Sequence, residues 1–581
     1  MKNSAGTNRG RVITLFWLFA GFACILTARL IKLQWMDHEK YLTRADAQHL
    51  GEAELPAIRG EIRDRNNVVL ATSIARWSVA VNPEAIAAKH NGDKAVDSLA
   101  AILGMKPESV REVVQRPGTF GWVSRKVRDK AAKQIRELGM EGVFLVKEPT
   151  PGKRYYPKGN LASHLMGTTG VDDQGLDGLE GAYEHALKGR PGLLRAFMDR
   201  DGWATLEHPT ALIRPAEVGN NVVLTIDETI QYVAERELAK QVKEYKAEGG
   251  IIVIMDVPTG DILAMAINPT FPAQDFGNVK PETRRNRAIT DPYEPGSTFK
   301  VFAAASALNS GFQPTDVFPS SGVLSFGGWI IQNANDGLDA AGVETIKDII
   351  AYSFNVGTAN MAFALGKEKF SKHLDAFGFG HLTGIDLVGE SEGILAPVKD
   401  WEKLNLATIS FGQGVAVTPI QLVSGMQAIA NGGIRMKPRV VQAITSHEGK
   451  VMERFSPEEI GRPVTPDTAK KMLDILENVC EKGTGKRARI PGYRVGGKTG
   501  TAQLVENGVY ADNEYVASFL GVAPIDNPRI VALIKIEKPH PYWGGVVAAP
   551  VFNRVAEKAL WKLGVKPDAK LAKRNLEDAS H

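Results

Sequence analysis

Residues 12–28, VITLFWLFAGFACILTA, form an unbroken run of 17 uncharged positions close to the start of the chain. No other feature limits the possible architecture so strongly. As a helix the run is about 25 Å long, near the lower limit for a bilayer span. Arg29 and Lys32 can snorkel outward while Leu30, Ile31, Leu33 and Trp35 stay at the interface, which predicts an anchor over residues 12–35. Lys2, Arg9 and Arg11 precede it without an acidic residue. The positive-inside bias then predicts a cytoplasmic tail of residues 1–11 and export of everything after the anchor. The alternative is a cleaved signal peptide, but the run exceeds the usual apolar region of such peptides and no A-x-A-like site follows. Cys24 falls in the bilayer and Cys480 in the exported body, so the two cannot pair. Neither a disulfide framework nor a cysteine-rich zinc site is available. Cys480 shares a helical face with Met472, Leu476 and Val479, which predicts a core position.

A chain of 581 residues implies roughly two to four folding units. The 70 Lys plus Arg against 66 Asp plus Glu leave a net charge of +4, too balanced for a protein that coats nucleic acid. Residues 36–220 mix short strands (VVLATS, GVFLVKE, LLRAFMD), a helix (DKAAKQIRELGM) and a glycine-rich passage, and read as an extended α+β module. From residue 221 the texture sharpens. NVVLTID reads as a strand, ETIQYVAERELAKQVKEY as an amphipathic helix, and GGIIVIMDV and GDILAMAIN as buried strands. This second domain is expected to run to residue 565, ending in paired strands and a closing helix. Residues 566–581 are charged and expected to be mobile.

Three short motifs carry chemistry. In DPYEPGSTFKVFAAASAL, Pro295 and Gly296 break the chain and an alanine-rich helix follows, with Ser297 at its start and Lys300 one turn on. A helix N-terminus favours a serine alkoxide and a nearby oxyanion. Ser353 and Asn355 flank Phe354 on a connection between two helical stretches, where a hydroxyl and an amide could pass a proton and hold a peptide. Lys498, Thr499, Gly500 and Thr501 suit a strand that approaches a ligand closely. Taken alone, the first two read as helix caps. The third overlaps GYRVGGKT, residues 492–499, which fits the phosphate-loop pattern G-x-x-x-x-G-K-[ST]. That loop must follow a buried strand and open a helix, whereas Gly500 and Asn507-Gly508 interrupt any helix here.

The order S-x-x-K, S-x-N, K-T-G, each occurring once and all in one domain, matches the penicillin-recognising serine acyl transferases. The chain resembles the class B penicillin-binding proteins, and the resemblance covers nearly all of it: the anchor, RGEIRDRNNVVLATS, Arg154-Tyr155-Tyr156-Pro157, GLEGAYE, NVVLTIDETIQ, TGDILAMA, EPGSTFK, SFNVG, TGIDLVGE, FGQGVAVTPIQL, GGKTGTAQ and ASFLGVAP. Size and layout are most similar to the septal, division-specific type. Asn67 stands where relatives usually carry glycine, tolerable because Asn visits the left-handed region, and Phe354 fills the variable middle of S-x-N.

The resemblance implies an α+β multidomain fold: a single transmembrane helix, an extended α+β pedestal or dimerisation module, and a C-terminal transpeptidase domain like that of serine β-lactamases. It implies that Ser297 attacks the bond between two D-alanines of a peptidoglycan stem peptide and that an amine of a neighbouring stem takes the acyl group. A neutral Lys300 would be the base, with Lys498 lowering its proton affinity. Ser353 would relay the proton and Asn355 would position the peptide. Thr499, Gly500 and Thr501 would bind substrate, the two hydroxyls holding its carboxylate and the Ser297 and Thr501 N–H groups forming the oxyanion hole. β-Lactams would acylate the same serine, and no metal or organic cofactor is implied. The implied partners are a membrane glycan polymerase and other division proteins, and the implied location is the inner membrane with a periplasmic body. An elongation-type transpeptidase, a membrane-anchored β-lactamase or D,D-carboxypeptidase, and a non-catalytic β-lactam sensor or scaffold are the alternatives.

Overall fold

The computed structural model describes residues 5–41, 50–55, 57–74, 77–118, 121–147, 153–198, 204–205, 211–334, 340, 342–506 and 509–571. It divides into two compact units, residues 1–58 with 189–217 and residues 59–188 with 218–581. The first contains helix α1 (Ala5–Ile31), continued by a five-residue π-helical turn to Met36. The helical stretch over residues 9–36 contains an 18-residue window of mean hydropathy 1.9 and is long and apolar enough to cross a membrane. The helix starts earlier than the apolar run, since Ala5–Arg11 contains no proline and only Gly6 and Gly10 weaken it. The same unit holds an antiparallel sheet in which Gly192–Met198 pairs with Leu50–Leu55 and with Ala211–Arg214.

The second unit contains the motifs. It opens with β1 (Ile62–Arg63) and β2 (Val69–Ile74), joined by a turn in which Asn67 takes φ 63°, the left-handed position expected of it. Residues 77–147 add a separate three-stranded sheet with its own core of Val79, Val81, Leu99 and Ile135. Then follow β3 (Lys153–Tyr155), β4 (Asn221–Leu224) and α2 (Glu228–Glu244), the last capped by the Asp227 carboxylate, which accepts from the Thr229 and Ile230 amides. Strands β5 (Gly249–Asp256) and β6 (Ile262–Asn268) come next, followed by α3 (Lys300–Asn309), α4 (Ile346–Tyr352) and α5 (Asn355–Leu365). Strands β7 (Val441–Thr445) and β8 (Val451–Arg454) precede α6 (Pro466–Glu481). The chain closes with β9 (Gly496–Glu506), β10 (Val509–Ala523), β11 (Ile530–Glu537) and α7 (Ala549–Lys562).

Two sheets organise this unit. One has the order β8-β7-β4-β1-β2-β3 and interleaves strands from four distant parts of the chain. The other, β6-β5-β11-β10-β9, is antiparallel throughout. Strand β5 reads as a continuous apolar run because both of its faces are covered. Its period-two alternation sends Ile251, Val253 and Met255 into the core containing Val301 and Phe302 of α3, and Ile252 and Ile254 into the core containing Phe552 and Val555 of α7. Each such side chain contributes about 1.5–3 kcal/mol on burial. Cys480 is fully buried on α6, as its helical face predicts, and burial raises its thiol well above the ordinary value. Residues 572–581 of the expected mobile tail lie outside the described residues.

Near residues 59–180 a buried charge cluster is built around Glu180, which is fully buried. Its carboxylate accepts from Arg59 Nε at 2.7 Å and Arg154 Nε at 2.6 Å. Gly60 lies so close to the Asn220 carbonyl that an added Cβ would sit 1.9 Å from its oxygen. Only glycine allows the strand segments to meet there.

Candidate active site

Ser297 does not open the α-helix directly. Gly296–Phe299 form one 3₁₀ turn and the α-helix begins at Lys300, so the serine stands at the tighter, leading end of a continuous helical segment. Gly296 takes φ 54° and donates its N–H to the Gly412 carbonyl at 3.0 Å, and Thr298 Oγ1 donates to the Pro295 carbonyl at 2.8 Å. Helix α3 is apolar all round because it is buried all round, and Lys300, 0% exposed, is buried with it.

A buried amine needs acceptors. Lys300 Nζ donates to the Ser353 carbonyl at 2.6 Å and Asn355 Oδ1 at 2.7 Å, and reaches Ser353 Oγ at 3.3 Å. Ser353 terminates α4 in the left-handed conformation, φ 67°, and Asn355 begins α5. That strained residue turns the chain sharply, so hydroxyl and carboxamide both face α3. Asn355 Nδ2 donates one hydrogen to the Gln332 carbonyl at 2.9 Å, which fixes the orientation of the amide and leaves its second hydrogen for other use.

Lys498 approaches from the other side. It is 0% exposed on β9, the edge strand of the five-stranded sheet. Its Nζ donates to Ser353 Oγ at 2.9 Å and to the Thr499 carbonyl at 3.1 Å. Two lysines from remote elements thus converge on one hydroxyl. The phosphate-loop pattern over residues 492–499 is excluded by this geometry: Lys498 and Thr499 lie inside a strand paired with Leu520 and Phe519 that continues to Glu506 instead of opening a helix. Gly500 keeps β9 against the serine turn, since a Cβ there would lie 2.3 Å from Ser518 Oγ and 2.9 Å from Thr298 Cγ2.

A cleft of about 600 Å³ opens above these groups. Ser297, Ser353, Asn355, Thr499 and Thr501 line it, while Lys300 and Lys498 lie beneath its floor and Gly500 is buried behind its strand wall. All eight residues singled out in the sequence are therefore gathered at one place. The sequence reading missed Thr484, whose hydroxyl meets that of Thr499 at 2.6 Å, and Gly544, whose N–H donates to Thr501 Oγ1 at 3.2 Å. It also missed Asn333, whose Oδ1 accepts from the Val356 amide at 3.1 Å beside Asn355. The clustered glycines of GTG (483–485) and WGG (543–545) were the only local signal of close backbone approach.

A hydroxyl held between two amines, next to a second serine at a helix start and above a polar strand edge, has the parts of a serine acyl transferase. Comparison with known proteins agrees. Residues 250–557 match the penicillin-binding protein transpeptidase domain, and residues 54–224 match the penicillin-binding protein dimerisation domain. The chain is 35% identical to stage V sporulation protein D of Bacillus subtilis, covering 98% of this chain and 88% of that one. It is 33% identical to the peptidoglycan D,D-transpeptidase FtsI of Escherichia coli, covering 95% and 93%. Among solved structures, penicillin-binding protein 3 of Mycobacterium tuberculosis in complex with aztreonam superposes with a TM-score of 0.67 at 30% identity, over 89% of this chain and 99% of that one. The chain belongs to the class B penicillin-binding proteins, the serine-type peptidoglycan D,D-transpeptidases.

Proposed function

We propose that the protein cross-links stem peptides during septal wall synthesis through an acyl-enzyme on Ser297, on the outer side of the inner membrane. The observation that carries the catalytic part is the convergence of Lys300 Nζ and Lys498 Nζ on Ser353 Oγ beside Ser297. Burial and like charge both disfavour two ammonium groups at this spacing, so Lys300 acts as the neutral base. It takes the Ser297 proton as Oγ attacks the D-alanine carbonyl. Ser353 passes that proton to the departing D-alanine amine, the C–N bond breaks, and Ser297 holds the acyl group. The N–H groups of Ser297 and Thr501 stabilise the oxyanion, the latter from an edge strand that turns alternate amides away from β10. Thr499 and Thr501 hold the substrate carboxylate, and β-lactams enter by the same route.

The N-terminus lies in the cytoplasm and residues 221–565 work outside as the transpeptidase domain. Residues 36–220 serve as the module that docks a membrane glycan polymerase and other division proteins. Near-full-length identity with FtsI supports the septal role. The higher identity with stage V sporulation protein D favours a second reading, cross-linking during sporulation. A fluorescent fusion at mid-cell in growing cells supports the first, and exclusion from mid-cell overturns it. For the chemistry, Ser297→Ala in the full chain should abolish covalent labelling by a fluorescent penicillin. Persistent labelling would sink the assignment.

A further inference from the structure

The catalytic cleft is more cationic than the donor reaction needs. Among the described residues that line it none is acidic, yet Lys486 and Arg487 line it in addition to the two lysines below its floor. Both are exposed, and among the described residues neither makes an ion pair. The acids nearest in sequence are already engaged, Glu481 with Arg489 and Glu477 with Arg494. These two cations are also held in place. They sit on a single 3₁₀ turn, Lys486–Ala488, pinned by the fully buried Ala488 and by Arg489 Nε donating to the Cys480 carbonyl at 2.9 Å. The preceding Thr484 joins this turn to Thr499 through their hydroxyls, so the cationic rim continues the wall that carries Thr499 and Thr501.

We propose that Lys486 and Arg487 make the leaving-group side of the cleft selective for an acceptor whose amine and carboxylate share one carbon. The inference rests on the D,D-transpeptidase reading above. By microscopic reversibility the acceptor amine enters where the D-alanine amine left. It attacks the Ser297 ester, the new C–N amide bond forms, the ester C–O bond breaks, and the amine's proton returns through Ser353 and Lys300 to Ser297 Oγ. An acceptor that is itself an amino-acid terminus carries its negative charge to the wall formed by Thr499, Thr501 and the Lys486–Arg487 rim. A side-chain amine on a plain methylene chain brings no such charge and gains nothing from the rim. The substrate class selected is a stem bearing a diamino acid whose free end is an α-amino carboxylate.

The test uses the detergent-solubilised full chain, acylated by a thioester analogue of the donor stem. D-alanine and ethylamine, which differ only by the carboxylate, compete as acceptors at equal concentrations of unprotonated amine. The wild type should prefer D-alanine, with a preference that falls as salt rises. Lys486→Ala/Arg487→Ala should lower the ratio of D-alanine to ethylamine transfer about tenfold, the effect of two partly exposed charge pairs, and remove its salt dependence. Lys486→Glu/Arg487→Glu should lower it further. The thermal midpoint, which reports the fold, should stay within about 2 °C of wild type in both variants, and both should still form the Ser297–penicillin adduct. A transfer ratio in the alanine variant within twofold of wild type overturns the inference and leaves the transpeptidase reading standing. A wild-type chain that forms no Ser297 adduct overturns both.

Discussion

Replacing Ser353 separates proton transfer from structural support, because its side chain and its backbone do different things. The hydroxyl accepts from Lys498 Nζ at 2.9 Å and lies 3.3 Å from Lys300 Nζ. The shorter contact is charge-assisted and partly buried, so Ser353→Ala should cost about 2 kcal/mol of stability. If the hydroxyl relays the proton, the acylation rate constant should fall about 10²- to 10⁴-fold. The backbone adds a control. Ser353 holds φ 67°, a conformation costly for any residue with a Cβ and free for glycine. Ser353→Gly should therefore recover about 1 kcal/mol relative to Ser353→Ala while lacking the same hydroxyl. The assay is the second-order rate of fluorescent-penicillin acylation, read beside the thermal midpoint of each variant. Both variants should acylate equally slowly while differing in midpoint. Acylation of the alanine variant within tenfold of wild type would remove Ser353 from the proton path. If acylation instead follows stability, with glycine faster than alanine, the loss reflects a disordered connector and the relay is refuted.

Gly500→Ala places a methyl 2.3 Å from Ser518 Oγ and 2.9 Å from Thr298 Cγ2, so it should cost about 1–3 kcal/mol and slow acylation at least tenfold, which melting and labelling rates together measure. Glu180→Gln removes the charge between Arg59 and Arg154, leaving two buried guanidinium groups under-compensated; urea unfolding should show a loss of about 3–5 kcal/mol, and a loss below 1 kcal/mol would mean that water reaches the cluster. Burial, with a smaller push from Arg287, lowers His164 to about 4, so below its ordinary value of 6.5 the unfolded chain binds a proton that the native state refuses. The stabilisation is complete above about pH 6.5 and falls by about 3 kcal/mol as pH drops toward 4. His164→Gln, which can still donate to the Thr283 carbonyl, should lose that part of the pH slope, and identical slopes for the two proteins would refute the assignment.

The parts of the fold written in local periodicity were legible in the sequence. The helix predicted over residues 228–245 is observed at Glu228–Glu244, and the two buried strands after it fall within two residues of their predicted bounds. The three motifs were legible because their chemistry is compact. What was not legible is what distant segments do together. Strand β4 pairs with β1 through Val222↔Ile62 and with β7 through Val222↔Ile444, and no local pattern encodes either partner. Thr484 lies 15 positions before Thr499 and reads as an ordinary polar residue until the fold brings the two hydroxyls together. Lys486 and Arg487 likewise read as a solvated basic pair, and only their place on the cleft wall gives them a direction to face. The S-x-x-K spacing places a helix start at Ser297 but does not distinguish the 3₁₀ turn found there from an α-turn.

The spacing of the reactive groups follows from the core rather than from the loops around them. Lys300 rides on a helix with no exposed face, Lys498 on the edge of a sheet, and Ser353 on a connector between two other helices. The helix and the sheet contribute to one hydrophobic core, to which Val301 and Phe302 belong together with Ile251, Val253 and Leu533. Close-packed interiors resist expansion, so the Lys300–Lys498 separation is fixed by the same contacts that stabilise the domain. Two glycines remove the remaining freedom. A Cβ at Gly412 would lie 2.2 Å from the Gly296 carbonyl oxygen, and one at Gly500 would meet the serine turn, so bare backbone holds the Ser297 turn from both sides. Burying two cations a few ångströms apart is unfavourable by itself, and a loop-borne pair would relax by moving apart. Here separation would require the sheet and helix to part. The fold therefore holds the Lys300 and Lys498 amines on one buried hydroxyl, and the neutral base in the proposed mechanism rests on that enforced proximity.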